Sequence, residues 1–226
     1  MKTLKKIWWR LLFALYAIVY LPWFFFLERK ITMDYPGIHI INGPLDDLIP
    51  FCEIFIIPYF MWFAYIFASC IFMVLRANNQ EFIRFALSLI IGMSVCMIIC
   101  MVYPNGLTLR PESTSDTILG HMISGLYATD TPTNVFPSIH VYNSLAVHIA
   151  LSKCEALQKH KAVKNASLIL CILICLSTVF LKQHSLYDVA GAFILIGIIY
   201  YLLYVLSEKY IQKQETSQKA CVRADD

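Results

Sequence analysis

Charged side chains are scarce in this chain, and their absence is patterned. Only 15% of the 226 residues are Asp, Glu, Lys or Arg, against 59% hydrophobic residues. That balance is too apolar for an ordinary water-soluble domain. The stretches 11–27, 54–75, 85–102, 166–181 and 189–207 carry no formal charge at all. Each approaches the roughly 20 apolar residues that a bilayer core of about 30 Å requires. Other absences narrow the field further. No small-x-small cleavage site follows Leu27, so the basic-then-apolar N-terminus reads as a retained first helix rather than a removed signal. The eight cysteines include no CxxC pair, and Cys96/Cys100 and Cys171/Cys175 stand at helical spacing inside apolar runs, as packing residues do. No cluster of His, Asp and Glu stands at metal-ligand spacing, so neither a metal nor a cofactor is expected. No internal repeat is visible.

What is present is a set of spans with polar clusters at their ends. With a shorter apolar stretch that contains His140 and His148, the chain reads as an all-α, six-transmembrane-helix integral membrane bundle in one domain. The spans fall at about 7–27, 54–75, 84–103, 138–152, 166–181 and 188–207, with a flexible tail at 208–226. With the N-terminus inside, only Arg29, Lys30, Arg110 and Lys182 of the 18 basic residues fall outside. That asymmetry is the positive-inside pattern. Three connections, 28–53, 103–139 and 182–188, therefore share the outer face. The first is dense in turn residues (Pro36, Gly37, Gly43, Pro44, Pro50) and reads as irregular; Asp46 and Asp47 within it read as solvated loop acids.

Two clusters stand out. In the first, Asn134-Val135-Phe136-Pro137-Ser138-Ile139-His140 opens the fourth span. Pro137 suits the first position of a helix, Asn134 or Thr133 could cap it, and free N–H groups there would attract an anion. Ser138 adds a hydroxyl, and His140 can protonate a leaving oxygen. The plainer alternative is a capped helix with an interfacial histidine. In the second, Lys182-Gln183-His184-Ser185-Leu186-Tyr187-Asp188 opens the last span. His184 and Asp188, four apart, share a helical face, and a carboxylate that orients an imidazole suits a histidine nucleophile; an interfacial ion pair is the alternative. Arg110 is the only arginine of the long outer connection, and its fork matches phosphate oxygens. Lys182 is either a second cation on the phosphate or an anchor that snorkels to the interface. Asp130, Asn134 and Tyr127 either shape a headgroup pocket or serve the loop.

The order Arg110-Pro111, then Pro137-Ser138-x-His140, then His184-x3-Asp188, resembles the type 2 phosphatidic acid phosphatase superfamily of lipid phosphate phosphatases. Its blocks are K-x6-RP, PSGH and SR-x5-H-x3-D. In this chain Tyr103 stands for the family lysine, Ile139 for the glycine and Thr178 for the arginine. These departures are similar to the branch of inositol phosphorylceramide synthases and related bacterial proteins. The resemblance implies the phosphatidic acid phosphatase/haloperoxidase bundle, with His184 as nucleophile, Asp188 as its orienting partner and His140 as general acid. Arg110 and Ser138 would hold the phosphate, with Lys182 standing in for the missing cations. The implied activity is removal of phosphate from a lipid phosphate or pyrophosphate through a phosphohistidine. The alternatives are a phospho-headgroup transferase with the same chemistry and, further off, an inactive scaffold or transporter. Charge-free span centres speak against transport. Expected partners are a membrane lipid substrate and the membrane, not nucleic acid. The expected place is the plasma membrane of a bacterium, with both termini cytoplasmic and the site outside.

Overall fold

Five helices in the computed structural model, which describes residues 8–210, are long and apolar enough to cross a membrane. They run Trp8–Lys30, Glu53–Arg76, Asn79–Val102, Lys161–Phe180 and Leu186–Tyr210. Their regular α-helical parts are α1 (Tyr16–Lys30), α3 (Ile56–Arg76), α4 (Asn79–Val102), α7 (Lys161–Phe180) and α8 (Leu186–Tyr200). Large apolar side chains such as Phe25, Phe63, Phe67, Ile169 and Ile194 lie exposed along them. Water would reject such a surface and lipid accepts it. The protein is a multi-pass integral membrane helical bundle. The expected tail beyond Tyr210, and the chain before Trp8, lie outside the described residues.

The sixth expected span is α6 (Ile139–Lys153). Its 15 residues extend only about 22 Å at 1.5 Å each, short of a full crossing. Its place is central: α6 packs against α3, α4, α7 and α8. Val141, Tyr142, Asn143, Ser144, Ala146, Val147, Ala150 and Leu151 are buried all round it. Contact with α4 is close at Gly92, where any Cβ would come within 2.0 Å of the Tyr142 ring. Tyr142 Oη in turn donates to the Ser88 carbonyl at 2.7 Å. Cys96, Cys100 and Cys171 are buried as packing residues in these helices.

The two ends of the bundle are tied differently. At one end Arg10 is buried and donates to the Val74 carbonyl (2.7 Å) and to Asn79 Oδ1 (2.8 Å), placing a cation at the C-terminus of α3. Asn78 and Glu81 there cap α4 reciprocally, and Glu81 also accepts from the Glu155 amide at 2.8 Å. At the other end the three predicted outer connections meet. Strand β1 (His39–Ile40) of the first pairs in parallel with β2 (Asn105–Gly106) of the second, His39 opposite Asn105. Lys182 in the third reaches the carbonyls of Asp46 and Ile49 in the first.

One expectation about these connections is corrected, and the longest of them holds a helix of its own. Asp46, read as a solvated loop acid, is 2% exposed. In the short helix α2 (Pro44–Asp47) it accepts from the Gly43 amide (2.9 Å) and from the Leu186 amide (2.8 Å). Its carboxylate thus sits on the N-terminal dipole of α8. The long connection is not all loop: α5 (Ile118–Thr129) starts on a Thr117 cap and buries Gly120, Ile123 and Leu126. Ile123 and Leu126 pack with Ile56, Tyr59 and Leu181.

Candidate active site

The N-terminal end of α8 is where the second cluster becomes geometry. Ser185 caps the helix, and the capping partner three residues on is Asp188: Asp188 N donates to Ser185 Oγ (3.2 Å) and Ser185 N to Asp188 Oδ2 (2.8 Å). The cap fixes the carboxylate independently of any histidine. His184 then places Nδ1 at 3.3 Å from the same Oδ2. The backbone on the other side is held by Thr178, whose carbonyl accepts from the amides of both Gln183 and His184 at 3.0 Å. Asp188 is fully buried and His184 is 6% exposed. A buried carboxylate needs cationic or hydrogen-bonded partners, and the Ser185 amide and His184 Nδ1 supply them.

The first cluster meets the second through backbone and side chain together. Ser138 N donates to the Asp188 carbonyl at 3.1 Å, which locks the start of α6 to the first turn of α8. His140 Nδ1 then lies 3.4 Å from His184 Nε2. Tyr59 and Trp62 of α3 pack on the His140 ring, with centroids at 4.8 and 4.6 Å. The cap of α6 is not the one expected. Ser138 itself caps, accepting from the Val141 amide at 3.3 Å, and Pro137 precedes the cap rather than opening the helix. Asn134 stands four residues too early, takes a left-handed φ of 58° and donates to Glu28 Oε1 at 3.0 Å. Thr133 donates to the Ile31 carbonyl at 2.6 Å.

Arg110 completes the cluster. Its guanidinium lies over the Tyr127 ring (4.5 Å), donates to the Tyr127 carbonyl (3.3 Å) and donates to Gln183 Oε1. Burial makes it a weaker base than a free arginine, while Asp130 and Tyr127 nearby oppose that shift. Asp130 accepts from Tyr59 Oη at 2.9 Å. Tyr127 Oη donates to the Leu181 carbonyl at 2.7 Å, and burial pushes its phenol up to about 12. So His184, His140, Asp188, Ser138, Arg110, Tyr127 and Asp130 form one contiguous cluster. Asn134 faces Glu28 instead. The Lys182 ammonium is engaged on the first outer connection, donating to Asp46 O (2.6 Å) and Ile49 O (2.5 Å).

Tyr103 and Thr178, at the two positions where the resembled pattern has cations, lie outside direct contact with Arg110: Tyr103 stacks on His39 at 4.1 Å and Thr178 Oγ1 donates to the Cys175 carbonyl. Sequence reasoning missed Gln183, Tyr59 and Trp62. Gln183 was visible beside His184, but nothing in the sequence pairs it with Arg110, 73 residues away. Tyr59 and Trp62 lie in an apolar span whose aromatic content hides them. Among the described residues no group of three or more His, Cys, Asp and Glu converges as a metal site would. Chemically, the cluster offers a buried, oriented imidazole, a second, half-buried imidazole facing it and a half-buried guanidinium.

A family model described as the PAP2 superfamily matches residues 85–212, more than half of the chain, and that segment contains every catalytic candidate from Arg110 to Asp188. No curated protein and no solved structure matches the chain.

Proposed function

The chain belongs to the PAP2 superfamily, with a phosphatase-type or related activity, and from that premise we propose a membrane phosphohydrolase that acts on a lipid phosphate or pyrophosphate through phospho-His184. The observation that carries this is the chain of contacts Asp188 Oδ2–His184 Nδ1 (3.3 Å) and His184 Nε2–His140 Nδ1 (3.4 Å), with Arg110 beside it. Asp188 holds the proton on Nδ1, which leaves the Nε2 lone pair for phosphorus. That lone pair forms the P–N bond as the P–O bond to the leaving group breaks, and the departing oxygen takes a proton from His140. Water then attacks phosphorus, gives a proton to His140, and the P–N bond breaks to release phosphate. Arg110 and Ser138 bind the phosphate oxygens. Attack in line puts the nucleophile and the leaving oxygen on opposite sides of phosphorus. Substrate therefore parts the two imidazoles, and their mutual contact belongs to the unliganded site.

A second outcome, transfer of a phospho-headgroup to a lipid hydroxyl, is favoured by one observation. The cluster brings together a single guanidinium, with Thr178 and Tyr103 where the family pattern has cations. One cation matches a singly charged phosphodiester better than a doubly charged monoester. The charge pattern of the sequence supports a site on the extracytoplasmic face.

The test is a product assay with purified protein over a panel of lipid phosphates and phosphodiesters, in buffer containing a chelator. Hydrolysis predicts free phosphate released without added metal and none from His184→Ala. Transfer predicts a new phospholipid and no free phosphate. Activity that vanishes on chelation and returns with a divalent ion contradicts both.

A further inference from the structure

Two side chains that touch one another at the edge of the histidine cluster each leave a buried N–H without an acceptor: Arg110 at Nε and Gln183 at Nε2. Trp62, whose ring packs on His140, leaves a third at Nε1. Buried donors are normally satisfied, and three around one cluster point to an acceptor that arrives from outside. Gln183 is 2% exposed, and its backbone is fixed by the Thr178 carbonyl. Its amide orientation follows from chemistry. A guanidinium has donors only, so the atom facing Arg110 must be Oε1, and the NH2 group is turned the other way.

We propose that Gln183 is a phosphate-binding residue whose carboxamide does two things at once. Oε1 holds the Arg110 guanidinium in place, and Nε2 donates to an oxygen of the phosphate that Arg110 binds. This inference rests on the phosphatase-type site argued above. It assigns to a neutral donor, one residue before the nucleophile, part of the work that the family pattern gives to a cation at the position of Thr178. The pocket gains a hydrogen bond without gaining charge. That keeps the Arg110 guanidinium from facing a second cation in a buried setting.

The probe is inorganic vanadate, measured by direct binding and by inhibition of nitrophenyl phosphate turnover, in metal-depleted buffer free of chelator (which would itself bind vanadate), on wild type, Gln183→Glu, Gln183→Met and His184→Ala. Gln183→Glu keeps an acceptor for Arg110 but removes the donor. It should weaken vanadate binding roughly 10- to 100-fold, the range for a lost hydrogen bond to a charged group. KM for nitrophenyl phosphate should rise by a similar factor, more than kcat falls. Gln183→Met loses both contacts and should fall at least as far. If Gln183→Glu does not fold, Gln183→Met decides by the same criterion, since its side chain is close in length and shape and leaves no buried charge. Vanadate bound by both variants as tightly as by wild type overturns the inference alone. A wild type that binds no vanadate overturns the phosphatase-type reading and this inference with it.

Discussion

His184 is a buried imidazole and His140 a half-buried one, and their neighbours fit them for different work. His184 has a fixed carboxylate on one nitrogen, because Asp188 is also pinned by the Ser185 cap. His140 has only aromatic faces, Tyr59 and Trp62, and the second imidazole. An imidazole with an anionic partner is the better nucleophile; one without is free to pass a proton. His140→Ala should therefore slow cleavage of an ester with a poor alkoxide leaving group by roughly 10²–10⁴-fold. A nitrophenyl phosphate, whose leaving group departs without a proton, should suffer far less. Rate against leaving-group pKa for both enzymes gives the answer: a steep slope in His140→Ala and a shallow one in wild type. Equal slopes would remove His140 from the proton-donor role.

At the scale of elements, the first outer connection is strapped over the start of α8. Lys182 donates to two of its carbonyls and Asp46 accepts from the Leu186 amide. Lys182→Met leaves those carbonyls without partners and should cost about 2–3 kcal/mol of stability, read as earlier thermal unfolding in detergent. Vanadate affinity of the folded fraction should change little. Full stability with lost vanadate binding would instead make Lys182 a phosphate ligand. The strap shows what the sequence hides. The apolar runs and the His184/Asp188 spacing were legible because helix periodicity is a local signal; the Ser185 cap that fixes Asp188 was not read. The ends of α6 and α8 were also legible as one site, through the ordered motifs. Asp46 was not, since whether an acid is solvated depends on a partner 140 residues on. The helix α5 was masked by two glycines and a single apolar stripe at Ile123 and Leu126. Ser138 was recognised as polar and useful, but its role as cap depends on where the backbone turns.

Across the bilayer, the proposed orientation has the three connections around the histidines facing outward and the Arg10–Asn79 end inward. Asn165-Ala166-Ser167 is a glycosylation sequon on the first turns of α7, at the end opposite the histidines, and Asn165 is exposed. Expressed in a eukaryotic host, it should remain unmodified, whereas a sequon introduced near Ser115 should be used. A glycan on Asn165 would invert the orientation.

The proposed chemistry stands or falls on a covalent phosphoryl group on His184. The most direct measurement quenches wild-type enzyme during turnover of a labelled lipid phosphate and maps the label along the chain. The account predicts an acid-labile, base-stable phosphoryl group on His184, absent from His184→Ala, which should not turn over at all. It should also persist longer in His140→Ala when an activated ester loads the enzyme, because water then attacks without a base. Label on His140 alone, or turnover by His184→Ala, would contradict the account.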